Sequence, residues 1–344
     1  MTGTSTGTSI GTAEQPVVDP DGGLLAVHAH PDDETLATGA LLATWAAAGE
    51  RVTVVTCTRG ERGEVIDSAA HPTGVGHLEG DGPALATYRE GELALALDAL
   101  GVRDHVFLDA VPDGAPPARY TDSGMAWAAP GIARATAEAE LPDGAFVAVP
   151  LDEAAARLAA VVRDRRPAVV ATYEAGGGYG HPDHVRAHEV AVRALALLAE
   201  AGEPVPALWT AVAPAWRVRA ARRALAALPE VRALLADDAS LTLPDPDEPL
   251  PPLALPGTED AAAPLPPGVV AVPVAPVLPA VLGAMHAHAT QVQRAQPAPA
   301  GADPSLVGWY ALSNDVLAPV PSHEFYAPSR AALPGDPGSR TSGQ

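Results

Sequence analysis

The chain has 344 residues, enough for one large or two modest folded units, and its 47% hydrophobic and 18% charged content is that of a soluble globular protein. Its 21 basic residues are all Arg and stand against 42 Asp and Glu, a formal charge of −21 that leaves no electrostatic footprint for nucleic acid or an anionic membrane. The lack of Lys excludes a Walker A loop and a Schiff-base lysine, and the single cysteine, Cys57, excludes an internal disulfide or an all-thiolate zinc site.

Residues 1–20 are rich in Thr, Gly and Ser and have neither the basic start nor the apolar middle of a signal peptide, so a disordered tail is expected. Leu24 to Val27 reads as a buried strand, and Asp32-Asp33-Glu34 opens a helix that Gly49 stops. Val52 to Cys57 is strongly β-prone and closes a βαβ unit. The theme recurs with a helix over 87–100, a strand over 106–108, a helix over 151–165, a strand over 168–173 and a helix over 184–201. Such alternation predicts an α/β fold, a Rossmann-like, mostly parallel sheet flanked by helices, over residues 21–204.

Residues 205–331 are expected to form a smaller, irregular C-terminal part that completes the substrate pocket. Strands are expected over 208–212 and 269–274, and a helix over 281–294. Between Pro244 and Pro267 lie nine prolines, which predict an irregular surface insertion. Residues 332–344 read as a mobile tail. No stretch approaches the roughly 18 consecutive apolar residues of a membrane span, and a reducing cytosol suits the lone thiol.

Two segments concentrate the chemistry. His28-Ala29-His30-Pro31-Asp32-Asp33-Glu34 follows the first strand, and Gly176-Gly177-Gly178-Tyr179-Gly180-His181-Pro182-Asp183-His184 follows the strand that ends at Tyr173. Ligands of open α/β sheets bind outside the carboxyl ends of strands, so both loops can face one crevice. Two imidazoles and a carboxylate, with a fourth position left for water, are the donors of a hydrolytic zinc site. His30 and Asp33, and likewise His181 and His184, have a spacing that aims both members to one side of a helical turn. An ordinary capped helix start accounts for either segment alone; two such clusters, each directly after a strand, point to a metal.

With these motifs the chain resembles the PIG-L/LmbE-like de-N-acetylases, zinc enzymes of Rossmann-like fold. The match extends to Ala311-Leu312-Ser313-Asn314, and Arg119 to Ala126 with His288-Ala289-Thr290-Gln291 narrow the resemblance to the branch that deacetylates an N-acetylglucosaminyl-inositol in mycothiol biosynthesis. The resemblance implies one zinc ion per subunit on His30, Asp33 and His184, Asp32 as general base, and His181, Tyr179 and Asp183 as further catalytic residues. His181, protonated and held by Asp183, is then expected to steady the oxyanion and protonate the departing amine. Arg89, Asp122 and, as a weaker match, Glu64 fall at substrate-binding positions, and the substrate is a small amino-sugar inositol. Iron(II) accepts the same donors as zinc. Gly60-Glu61-Arg62-Gly63 is also similar to the sister amidase of mycothiol S-conjugates, which stands as the alternative beside a non-catalytic metal- or sugar-binding module. A binder needs no base, and Asp32 argues against that module. The sequence carries no signal for an oligomeric state.

Overall fold

The structure, a computed structural model, describes residues 22–112, 119–129, 132–135, 141–262 and 264–329. The expected tails, 1–20 and 332–344, lie outside the described residues.

In chain order the elements are β1 (Leu24–His28), α1 (Asp33–Ala47), β2 (Val52–Thr56), α2 (Gly82–Leu100), β3 (Asp104–Phe107), β4 (Met125–Ala129), β5 (Ile132–Ala135), α3 (Leu151–Arg165), β6 (Val169–Tyr173), the single turn α4 (Gly177–Gly180) and α5 (Pro182–Glu200). They continue with β7 (Ala207–Pro214), α6 (Ala215–Ala227), α7 (Pro229–Asp237), β8 (Ala254–Leu255), β9 (Val270–Pro273), α8 (Leu278–Ala287), β10 (Gln293–Pro297), β11 (Leu306–Ala311), β12 (Leu317–Pro321) and β13 (His323–Ser329).

The main sheet runs β3-β2-β1-β6-β7-β13-β9, with β8 beside β7. Its first five strands are parallel, while β13 and β9 join antiparallel. Side chains alternate across each strand, so β1 feeds two cores. Leu24 and Ala26 pack with residues of α1, α2 and α8, whereas Leu25 and Val27 pack with residues of α3 and α5. Both faces are therefore covered, as a parallel sheet requires. Trp209 is a packing residue: its ring lies edge-on to the buried Trp45, 5.8 Å away, and tilted against Tyr326 at 6.0 Å.

The C-terminal region departs from expectation in three places. The helix expected over 281–294 ends at Ala287, because His288 leaves helical dihedrals (φ −81°, ψ 49°) and Gln293 starts β10. Helices α6 and α7 follow β7; α6 buries only Ala215, Ala221, Ala224 and Leu225, too little apolar stripe to read as helical periodicity. Strands β10, β11 and β12 form a second, antiparallel sheet. The Pro-rich stretch is irregular apart from β8, which pairs with β7.

Helix α1 is broken one turn in, where Thr38 adopts φ −140°, ψ 15°. The amides of Ala40 and Leu41, beyond the break, donate to the Glu324 carboxylate of β13 at 2.7 and 2.9 Å. The Tyr326 hydroxyl adds a third donor at 2.7 Å. The last strand thus caps the helix that starts at Asp33. Glu324→Ala strips both amides of their acceptor and is expected to lower unfolding free energy by about 2–4 kcal/mol in urea titrations. A loss below about 0.5 kcal/mol contradicts the capping role.

Candidate metal centre

Strand order creates the site. From β1 the chain moves outward through β2 and β3, then crosses to β6 and β7 on the other side. The loops leaving β1 and β6 diverge at this switch point and leave a crevice at their carboxyl ends. The β1 loop carries His30 to Asp32; the β6 loop carries Glu174 to His181. The two are tied together, since the Ala29 amide donates to the Tyr173 hydroxyl at 3.0 Å.

His30, Asp33, His181 and His184 are all buried in this crevice. Asp33 lies between two imidazoles, with Oδ2 3.2 Å from His30 Nδ1 and Oδ1 3.2 Å from His184 Nε2. His30, His181 and His184 also offer nitrogens within 4.8 Å of one another, and His30, Asp122 and Asp183 form a second such group. A carbonyl only accepts, so the contact of His184 Nδ1 with Gly177 O at 3.2 Å places the ring proton on Nδ1. His184 Nε2 faces the Asp33 carboxylate at that short distance yet makes no aligned hydrogen bond. A buried imidazole nitrogen without a hydrogen-bond partner, facing a carboxylate oxygen, fits a metal ion, and both are donors zinc accepts. Burial opposes the Asp33 charge, yet His184 and His30 hold its carboxyl well below the ordinary range.

Asp32 sits beside this group in a strained conformation, φ 110°, ψ −32°. A non-glycine residue there costs about 1–3 kcal/mol and persists only where its surroundings impose it. Arg89, 3% exposed, supplies part of that force. Its guanidinium donates to Pro31 O, to Gly60 O at 2.9 Å and to Asp32 Oδ2 at 3.2 Å. Gly60 (φ 65°) is obligatory for this approach, because a Cβ there would lie 1.9 Å from Arg89 Nη1. Burial pushes the Asp32 carboxyl up to about 6; Arg89 opposes the rise and Asp33 adds to it.

The remaining sequence-derived residues divide. Asp122 is buried, with Oδ1 3.8 Å from His30 Nε2 and accepting from Gly124 N at 2.7 Å. Tyr179 stands edge-on to His184 at 5.1 Å and to His181 at 6.0 Å. Its turn is held by Glu174, which accepts from Gly178 N at 2.6 Å, and by the Pro-rich stretch, whose Leu253 amide donates to Gly178 O at 2.9 Å. Glu64 is exposed and takes part through its carbonyl, which accepts from Gln291 Nε2 at 2.9 Å.

Two expectations about His181 are corrected. The Asp183 carboxylate faces His30 Nε2 at 3.2 Å and accepts from Ser123 N at 2.9 Å, whereas only the Asp183 amide reaches His181, donating to Nδ1 at 3.1 Å. Burial, with His30 and His184 beside it, pushes the His181 pKa well below its ordinary value. A nitrogen that accepts from an amide carries no proton, so His181 is a neutral Nε2–H tautomer and not an imidazolium.

Several residues were invisible as site components in the sequence. Glu61 accepts from the Asp122 amide at 3.1 Å and fixes that loop. Glu92 accepts from Thr290 N at 2.8 Å and Thr290 Oγ1 at 2.6 Å. His288 contacts Glu34 at 2.7 Å. The signals for these partners were the Gly60-Glu61-Arg62-Gly63 and His-Ala-Thr-Gln segments, neither of which shows the pairing.

The sequence profile described as GlcNAc-PI de-N-acetylase, PIG-L, matches residues 25–195. A 1D-myo-inositol 2-acetamido-2-deoxy-alpha-D-glucopyranoside deacetylase of Kineococcus radiotolerans is 45% identical over 312 residues, spanning 88% of this chain and 76% of the relative. Enzymes of the same name from Streptomyces avermitilis and Saccharopolyspora erythraea are 42% and 43% identical. The first match spans 89% of this chain and 92% of the relative, the second 88% of each. With the crevice, its His and Asp donors and these relatives in agreement, the chain belongs to the PIG-L family of de-N-acetylases.

Proposed function

We propose that the protein is a zinc-dependent hydrolase that releases acetate from 1D-myo-inositol 2-acetamido-2-deoxy-α-D-glucopyranoside and leaves the free amine, a step of mycothiol biosynthesis in the cytosol. Similarity to deacetylases of that name supports the substrate. The observation that carries the chemistry is the strained Asp32 carboxylate, held by Arg89 beside the His30–Asp33–His184 group.

His30, Asp33 and His184 hold the ion. Bound there, zinc supplies a Lewis acid that polarises the acetamide carbonyl and brings the pKa of water toward neutrality. Asp32 accepts the proton of the attacking water. Having taken that proton, Asp32 can return it to the departing amine. His181 Nε2–H and the Tyr179 hydroxyl are neutral donors for the developing oxyanion. Asp183 aligns His30 from behind.

Asp122 and Arg89 are separable on two substrates. Asp122→Ala is expected to cost about 1.5–3 kcal/mol in kcat/KM on the inositol-bearing substrate through loss of a charged hydroxyl partner. The loss on free N-acetylglucosamine is expected to be smaller, with metal content unchanged. Arg89 holds Asp32, so Arg89→Ala is expected to depress both substrates alike. Equal losses for Asp122→Ala on both substrates contradict its part in reading the inositol-bearing molecule.

A further inference from the structure

The strain at Asp32 is imposed from two sides, and Arg89 accounts for one. On the other side, the Asp32 amide donates to Glu34 Oε2 at 2.9 Å. Glu34 is 0% exposed, and its second oxygen accepts from Thr35 Oγ1 at 2.6 Å and meets His288 Nε2 at 2.7 Å. His288, also 0% exposed, lies 254 residues further along the chain. The backbone fixes that ring at the end of α8: its amide donates to Ala284 O at 3.2 Å and its carbonyl accepts from Gln291 N and Val292 N at 2.9 and 2.8 Å.

A buried carboxylate persists only where donors satisfy it, and a half-satisfied one is free to rotate. The hydrogen bonds of the Glu34 oxygens go to the Asp32 amide, Thr35 and His288. We infer that His288 is a positioning residue for Asp32, acting through Glu34 to hold the Asp32 amide and so the direction of its carboxylate. The inference rests on Asp32 being the base of the proposed deacetylation. It also gives the C-terminal part of the chain a role in the reaction: residues from α8 onward complete the loop that follows β1.

The test is steady-state kinetics of the full-length, zinc-loaded protein on the acetylated glucosaminyl-inositol, with metal per chain and Tm measured for every variant. His288→Leu removes the donor at similar volume and is expected to lower kcat about 10- to 100-fold, with KM within about twofold and metal unchanged. His288→Gln restores a donor at similar reach and is expected to recover kcat to within about threefold of the parent. In an Asp32→Asn background, His288→Leu is expected to cost less than about a further twofold, because the group it positions is gone. If His288→Leu does not fold, Glu34→Gln takes its place with the same expected split.

Parental kcat in His288→Leu overturns the inference. So does an equal loss in Leu and Gln variants that persists in full without Asp32, which is the mark of a merely structural role. An Asp32→Asn variant that keeps parental activity overturns the base assignment itself. An inactive Asp32→Asn beside a fully active His288→Leu overturns only the positioning role.

Discussion

Asp33→Ala is expected to leave the purified protein without its metal and to lower deacetylation by at least about 10³-fold, because the Lewis acid departs with its ligand. Asp33 contacts both flanking imidazoles, with one oxygen toward His30 and the other toward His184. Its removal takes away the one carboxylate of the proposed ligand set, which spans the His30 and His184 rings. The Asp33 carboxylate also accepts from the His30 amide at 2.8 Å, so the β1 loop loosens as well. Metal analysis after gel filtration reads the outcome. A variant that retains one ion per chain contradicts the ligand assignment and turns attention to His30, His181 and His184 as the binding set.

Asp32→Asn separates base from ligand. The side chain keeps its size and its acceptor for Arg89, so metal content is expected to remain at the parental level. It loses the ability to take a proton, and kcat is expected to fall on the order of 10²–10⁴, the usual worth of a positioned base. KM should move little, since the lost interaction belongs to the transition state. Loss of metal in this variant would mean that the two adjacent carboxylates have exchanged roles.

The parallel half of the fold was legible because its signals are local. Buried strands such as Leu24–His28 and Val169–Tyr173 are mostly apolar and fully buried, and Leu151–Arg165 combines acidic residues in its first turn with Arg in its last. The two His/Asp clusters were visible because each sits where a parallel strand ends. The C-terminal region hides its structure for physical reasons. Strand β12 reads Leu-Ala-Pro-Val-Pro, a turn-like composition tolerated because β12 is an edge strand that needs partners on one side only. The helix expected over 281–294 stops early because tertiary contacts override its apolar pattern. His288, Thr290 and Gln291 are drawn to Glu34, Glu92 and the Glu64 carbonyl. No periodicity encodes such long-range pairing. The same limit applies to Arg89, whose partners Pro31, Asp32 and Gly60 are distant in sequence, and to Asp183, which reaches His30 and not His181 through its carboxylate.

The central claim, metal-assisted deacetylation with Asp32 as base, is most directly tested by titrating zinc into chelator-treated protein and following amine release from 1D-myo-inositol 2-acetamido-2-deoxy-α-D-glucopyranoside. Release is expected to be absent without metal, to rise in proportion to added zinc and to level off near one equivalent per chain. Amine release at the full rate from metal-free protein, or none from protein carrying one ion per chain, would contradict the account.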